Sequence, residues 1–410
     1  MNQGMSGKSL NKNSPHYKWI VLIVGSIFFF TFTAAWIFLP IIADINKVTG
    51  FAIDLDLDKI QVSWIYSAPL LAFVIFTFLG GIIADRIGIR NATIISGVLI
   101  TGFGMLRGLA DSYFFLVITS FLFGVGGGLL FPNLGKVVSA WFGDEKKGTA
   151  SGVYLMAGGL GQVFSLSITA TILLPLFQLN WRLCFLFYGI LSLLTTILWA
   201  FIIKEKEPTA RGESFSLVSL KIILTNKYVL GLCVIIFFAF SVLLGLTNYM
   251  EHLMGSKGVV DPIIGYLAAI LSLGATVGNI TLPSISDMIG KRKIFLIGSS
   301  IVAISLLILL QFINKGWVLG ILIFFIGVMV GTLIPLCLTI CIELKSVPEE
   351  LAGTVSGIVL SVGFLGTFTV SLIFGVLWAA FGIFLFSLIC LIYLICFGVV
   401  ALSLSFIQQK

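Results

Sequence analysis

Charged side chains are scarce in this sequence. Asp, Glu, Lys and Arg make up 10% of the 410 residues and hydrophobic residues 59%, against about 25% charged in a soluble domain. That shortage excludes a water-facing surface over most of the chain. Histidine is rarer still: the only two, His16 and His252, lie in a polar leader and at a helix end, which argues against a histidine-based catalytic or metal centre. All six cysteines (Cys184, Cys233, Cys337, Cys341, Cys390 and Cys396) fall inside apolar runs. Their spacing suits neither a disulfide framework nor a metal site, so they read as small hydrophobes. The glycine triplet Gly126 to Gly128 lacks the Gly-Lys-Ser/Thr that a phosphate loop requires; with Pro132 it reads as flexible or close-packed helix. No paired carboxylates or Ser-Lys arrangement supports an intramembrane enzyme. No metal, cofactor or nucleic-acid partner is expected.

What the chain does have is a succession of apolar runs, each of eighteen residues or more, long enough to cross about 30 Å of hydrocarbon as a helix. Backbone in lipid must satisfy its own hydrogen bonds, and nothing alternates as barrel strands do. The prediction is an all-α polytopic membrane protein with twelve spans, near 19–43, 61–84, 92–110, 113–138, 149–174, 182–203, 227–250, 262–284, 294–312, 317–341, 350–377 and 382–406. The first run is too long for a signal-peptide core and is read as a retained span.

Cytoplasmic loops carry the excess of Lys and Arg. With both termini inside, 18 of the 24 basic residues fall on inner segments and 6 on outer ones. This predicts a plasma-membrane protein with cytoplasmic termini, and it explains the net charge of +7 by anchors facing anionic headgroups. The longest polar insertion divides the chain. Residues 1–18 form a leader, 19–203 an N-terminal six-helix bundle, 204–226 a linker, 227–406 a C-terminal six-helix bundle and 407–410 a tail. Part of the linker, Lys221 to Leu224, lies along the membrane surface or is simply solvated.

The two halves resemble each other. "GTASGVYLMAGGLG" (Gly148 to Gly161) and "GTVSGIVLSVGFLG" (Gly353 to Gly366) match at eight of fourteen positions, 205 residues apart. Asp85, Gly88 and Arg90 recur 202 residues later as Asp287, Gly290 and Arg292. A duplicated six-helix unit places a cavity between its halves near the membrane midplane, open to one side or the other as the bundles rock.

The stretch "GIIADRIGIR", Gly81 to Arg90, resembles the loop between helices two and three of major facilitator superfamily transporters, usually Gly-x-x-x-Asp-Arg-x-Gly-Arg-Arg/Lys. Ile89 stands where a basic residue is usual; the second copy has Pro283 for the first glycine and Met288 for the first basic residue. With twelve spans and both copies, the resemblance covers essentially the whole chain. It implies two pseudo-symmetric six-helix bundles and a cytoplasmic gate of Gly81, Asp85, Arg86, Gly88, Arg90, Asp287, Gly290, Arg292 and Gly353. In that gate Gly81 admits a neighbouring helix, expected to be helix eleven. Asp85 faces the positive N-terminus of that helix near Gly353, Arg86 and Arg90 pair with acids across the loop, and Gly88 makes the turn.

Ionisable groups are nearly absent from span interiors, where they mark function. Lys136, Glu343, Arg107, Arg182 and Glu251 lie near span ends and are expected to snorkel to the interface. Drug exporters of the superfamily often carry an arginine in helix four where this chain has Ser120, and their helix-five Gly-Pro pair is missing. Substrate recognition is then left to amides and aromatics: Trp36, Asn133, Tyr154, Gln162, Asn248, Tyr249, Asn279 and Trp378. Trp19, Trp64, Trp141 and Trp317 read better as interfacial belt residues. The expected function is a secondary active or facilitative transporter, moving a small metabolite across the bilayer with or without a coupled proton or counter-substrate. The alternatives are an organic-anion carrier or antiporter using Lys136 or Arg107, and a transporter-like receptor, for which neither terminus offers a signalling domain.

Overall fold

A computed structural model of the protein describes residues 16–43, 49–142, 144–204, 225–255, 257–259, 261–313, 316–344 and 352–381. The described elements are all helices, and among the described residues eleven are long and apolar enough to cross a membrane. They are α1 (Tyr17–Ile37), α2 (Lys59–Ile87), α3 (Ile89–Leu106), α4 (Tyr113–Trp141), α5 (Asp144–Ile168), α6 (Trp181–Ile202), α7 (Lys227–Asn248), α8 (Asp261–Ile289), α9 (Arg292–Phe312), α10 (Gly316–Glu343) and α11 (Ala352–Phe381). Each coincides with a predicted span. The predicted twelfth span, 382–406, the leader to residue 15 and most of the linker lie outside the described residues.

Several helices run past the predicted limits, because backbone hydrogen bonding continues into the polar interface after the apolar run has ended. α2 starts two residues early, on a capping box: Asp58 accepts from the Gln61 amide at 2.8 Å and Gln61 Oε1 from the Asp58 amide at 2.9 Å. Asn180 and Asn226 cap α6 and α7 in the same sense.

Helix packing repeats itself. α1 packs on α5 and α7 on α11; α2 on α4 and α8 on α10; α3 on α4 and α9 on α10. Each partner in one half is six helices from its equivalent in the other. The two halves meet along α2 with α11 and along α5 with α8, a pair of seams related by the same offset.

Small residues set these contacts, since in lipid helices associate by close backbone approach rather than by hydrophobic drive. A Cβ at Gly124 would fall against the Pro69 backbone and one at Gly128 against Phe76, joining α4 to α2. The same role falls 203 residues later to Gly327 and Gly331, which lie on the backbone of Leu271 to Ala275 in α8. Gly161 rests on Phe30 and Thr33, and Gly366 on Phe237 and Ser241; these are the final glycines of the two matched stretches. The triplet in α4 is close-packed: Gly126 faces Ile100 and Ser96 of α3, Gly127 faces Phe32 and Phe73, and Gly128 faces α2. α4 continues unbroken through Pro132.

α3 and α6 are clamped to each other at both ends. Arg90, at the start of α3, donates from Nε to the Ile203 carbonyl and from Nη2 to the Ala200 carbonyl, both at 2.6 Å. Arg182, at the start of α6, donates to the carbonyls of Gly108 and Ala110 just beyond α3, at 3.4 and 2.6 Å, and stands 3.4 Å from Asp111. Each cation lies at the negative end of its neighbour's dipole and satisfies carbonyls with no intrahelical partner.

Adding a methyl group at Gly278 or Gly331 overpacks the α8–α10 contact and should cost about 1–3 kcal/mol. Gly278→Ala and Gly331→Ala are expected to lower the melting temperature of the detergent-solubilised protein. Gly298→Ala, with nothing in reach of its new Cβ, should leave it unchanged or raise it.

Candidate translocation site

The inner faces of the two halves meet in an aromatic cluster. Trp36 of α1 lies edge-on to Phe73 of α2 with centroids 4.8 Å apart, and stacks on Phe32 at 6.2 Å. From the opposite half, the Phe364 ring of α11 reaches Phe73 at 5.0 Å, Phe131 of α4 at 5.2 Å and Phe240 of α7 at 5.2 Å. Sequence reasoning selected Trp36 and missed Phe364. A signal was available: Phe364 stands where the first repeat has Gly159, a position at which the two copies disagree. Across the other seam, a Cβ at Gly159 would strike Thr276 of α8.

The amide candidates separate by location. On α5, Gly158 and Gly161 face α1, and Gly159 faces α8. At 100° per residue, Gln162 projects between those two directions, toward the space between the halves. It is half-buried and has no hydrogen bond to a described residue. Asn279 projects from α8 between its α5-facing and α10-facing sides, and its Oδ1 is buried without a partner. Asn133 is fully buried with both amide atoms unpartnered. It lies seven residues beyond Gly126, hence on the face of α4 that packs on α3, inside the N-terminal half and away from the central space. Tyr154 packs edge-on to Phe29 of α1 at 5.9 Å, and Asn248 is half-buried at the end of α7.

Tyr249 does more than line the space. Its hydroxyl donates to the Ser371 carbonyl of α11 at 2.6 Å and lies 2.9 Å from Ser63 Oγ of α2, joining three helices across the α2–α11 seam.

The gate residues behave unequally. Gly88 joins α2 to α3 at φ 88°, and its counterpart Gly290 joins α8 to α9 at φ 70°, a region that side chains rarely adopt. Gly81 does not face α11: a Cβ there would point at Lys136 of α4, whose Nζ donates to the Gly81 carbonyl at 2.5 Å. The tighter contact is one residue earlier, where Gly80 meets the backbone of Leu129. Arg86 is exposed, while Arg90 donates to two carbonyls at the end of α6. Arg292 opens α9 and Gly353 lies in the first turn of α11. The side chains of Asp85, Asp287 and Trp378 lie outside the described residues, as do those of Glu251 and Glu343.

Arg107 overturns its expectation. It does not snorkel but is 1% exposed. Its guanidinium lies 3.9 Å from the Phe123 ring centroid and 4.7 Å from that of Phe185, and Nη2 donates to the Ala35 carbonyl at 2.9 Å. Nε and Nη1 are buried without partners. The reason lies in its surroundings: the aromatic faces attract the cation, and the α1 carbonyl supplies a nearer acceptor than the interface does.

A family model described as the Major Facilitator Superfamily matches residues 21–371. Similar curated proteins include a hexuronate transporter of Bacillus subtilis, 27% identical over 250 residues covering 58% of each chain. A probable galactarate/D-glucarate transporter, GudP, of the same organism is 23% identical over 387 residues, covering 82% of each. A multidrug resistance protein, MdtG, of Enterobacter lignolyticus is 26% identical over 325 residues, covering 78% of this chain and 75% of its own. The first of these matches spans little more than half of that relative's length.

Removing the phenolic hydroxyl of Tyr249 leaves the Ser371 carbonyl without this donor. Tyr249→Phe should therefore lose about 1 kcal/mol or more, read as a lower melting temperature in detergent. Tyr154→Phe, whose ring packs on Phe29 and whose hydroxyl has no hydrogen bond to a described residue, should lose little.

Proposed function

The chain belongs to the major facilitator superfamily, and from that membership we propose that it is a secondary transporter that carries a small organic solute across the plasma membrane by alternating access. The observation that carries this reading is the pair of seams, α2 with α11 and α5 with α8, between halves built on one repeating pattern. Two such halves can tilt about the space that Trp36, Gln162 and Asn279 face. In this reading 19–203 and 227–406 are the moving bundles, 204–226 tethers them, both termini are cytoplasmic, and the lipid bilayer covers the apolar outer faces. A proton or a counter-solute supplies the driving force.

The Gly81–Arg90 loop and its second copy work as the cytoplasmic gate, with Asp85 set against the start of α11. Tyr249 supplies the matching closure at the other end of the α2–α11 seam. Lys136 and Arg90 support the gate from behind, the first by holding the Gly81 carbonyl and the second by fixing α3 on α6.

An organic-anion substrate is favoured within this reading by Arg107. A buried guanidinium with two unpartnered donors is a costly group to maintain in a membrane, and an anion reaching it past Phe123 would satisfy both. The names of the hexuronate and galactarate/D-glucarate relatives support the same class.

The test is flux into liposomes holding the purified protein, screened with pooled labelled solutes, sugar acids among them, with and without a proton gradient. Saturable, solute-selective uptake is expected; saturable binding with no uptake would instead indicate a receptor. Asp85→Asn should insert normally and lose most of the flux, and retained wild-type cycling would remove the gate role. Double substitution Lys136→Gln/Arg107→Gln should abolish anion uptake, and unchanged uptake would dispose of the anionic substrate class.

A further inference from the structure

α8 carries three polar side chains in one register, at Ser272, Asn279 and Ser286. Seven residues is just under two helical turns, so the three share a face and climb it in steps of about 10 Å. The Oγ of Ser272, the Oδ1 of Asn279 and the Oγ of Ser286 are all buried and all without a hydrogen-bond partner. Ser272 and Ser286 are at most 2% exposed.

The rest of α8 makes the contrast informative. Thr276 donates back to the Ser272 carbonyl at 2.8 Å, Thr281 to the Val277 carbonyl at 2.9 Å and Ser284 to the Ile280 carbonyl at 2.6 Å. A hydroxyl in an apolar setting closes on its own helix in this way, since an unsatisfied polar group there costs several kcal/mol. Thr281 and Ser284 are exposed on the outer side, as are Leu273 and Ile280. Among the described side chains of α8, the inner stripe is the one that leaves buried polar atoms unpartnered. That stripe runs between the side of α8 that takes Gly159 of α5 at Thr276 and the side that packs by Gly274 and Gly278 on α10.

Two features beyond α8 agree. Gln162 of α5 projects into the same space with no hydrogen bond to a described residue. Thr77 of α2, 202 residues before Asn279 and so its equivalent in the repeat, is likewise buried with its hydroxyl unpartnered.

We propose that Ser272, Asn279 and Ser286 form a hydrated hydrogen-bonding rail along α8, on which an oxygen-rich solute, a polyol or hydroxy acid, exchanges its water shell as it passes. Hydroxyl and amide groups both donate and accept, so they match a chain of solute hydroxyls without fixing charge. Three stations about 10 Å apart reach across most of the hydrocarbon thickness. This deepens the transport reading and rests on it for the solute, but the hydration of the rail can be measured without one.

The experiment places single cysteines at 272, 279 and 286, and at the outward positions 273 and 280, in full-length protein whose six native cysteines have been replaced. A charged, membrane-impermeant thiosulfonate is applied to liposomes from either side. The cysteine thiolate, which forms only where water solvates it, attacks the thiosulfonate sulfur, forming a mixed disulfide and releasing sulfinate, so the rail positions should react about tenfold or more faster than Leu273→Cys and Ile280→Cys. Ser272→Cys and Ser286→Cys are near-isosteric, which keeps the test valid should Asn279→Cys fold poorly. Reaction of both serine positions no faster than the outward controls would overturn the proposal. Rapid labelling that gluconate or glucarate slows, while mannitol or glucose does likewise, supports an oxygen-rich solute; slowing by hydrophobic cations alone would overturn that assignment. Fast labelling without flux of any solute would leave the rail standing and defeat the transport reading instead.

Discussion

At glycines of α4, α5, α8, α10 and α11 one helix lies directly against its neighbour's backbone, and the placement of the helices follows from those contacts. Hydrocarbon removes the hydrophobic drive that would press helices together in water, leaving packing and a few polar contacts to do so. A side chain at Gly124, Gly128, Gly278 or Gly331 would hold its neighbour off. Because the α4 and α10 glycines recur at one spacing in the two halves, the same crossing is built twice, and the seams α2–α11 and α5–α8 come to face each other across a common axis.

Charge is used sparingly and mostly to finish helices. Arg90 and Arg182 fasten α3 and α6 head to tail, and Lys257 donates to the carbonyls of Gln311 and Ile313 at the end of α9, both at 3.1 Å. Burial lowers the pKa of that lysine. Cations placed on helix C-termini satisfy carbonyls that have no intrahelical partner, which is a different use of charge from the surface pairs of soluble proteins. Arg107 stands apart because its guanidinium meets only one carbonyl and two aromatic faces.

The span count through α11, the duplication and the glycine turns at Gly88 and Gly290 were legible in the sequence, because hydropathy and backbone conformation are written locally. Partners were less so. Gly81 and Gly80 are equally small, and only the rotation of α2 decides which of them meets α4. Arg107 sits at a span end like Arg182, yet one is sealed between rings and the other caps a helix; the difference lies in Phe123 and Phe185, remote in sequence from both residue 107 and each other. Asn133 stands two turns beyond Gly126 and so on the face of α4 that packs on α3, a placement that its amide alone does not announce.

The two seams are cut from one pattern but differ at one telling pair of positions, the glycine at 159 against the ring at 364. On one side Gly159 lets α5 lie directly on Thr276 of α8. On the far side Phe364 is a peg seated among Phe73, Phe131 and Phe240, and must leave its socket before α2 and α11 separate. Should the halves tilt as proposed, the two edges would not part alike: one is a bare glycine contact, the other a ring held among rings.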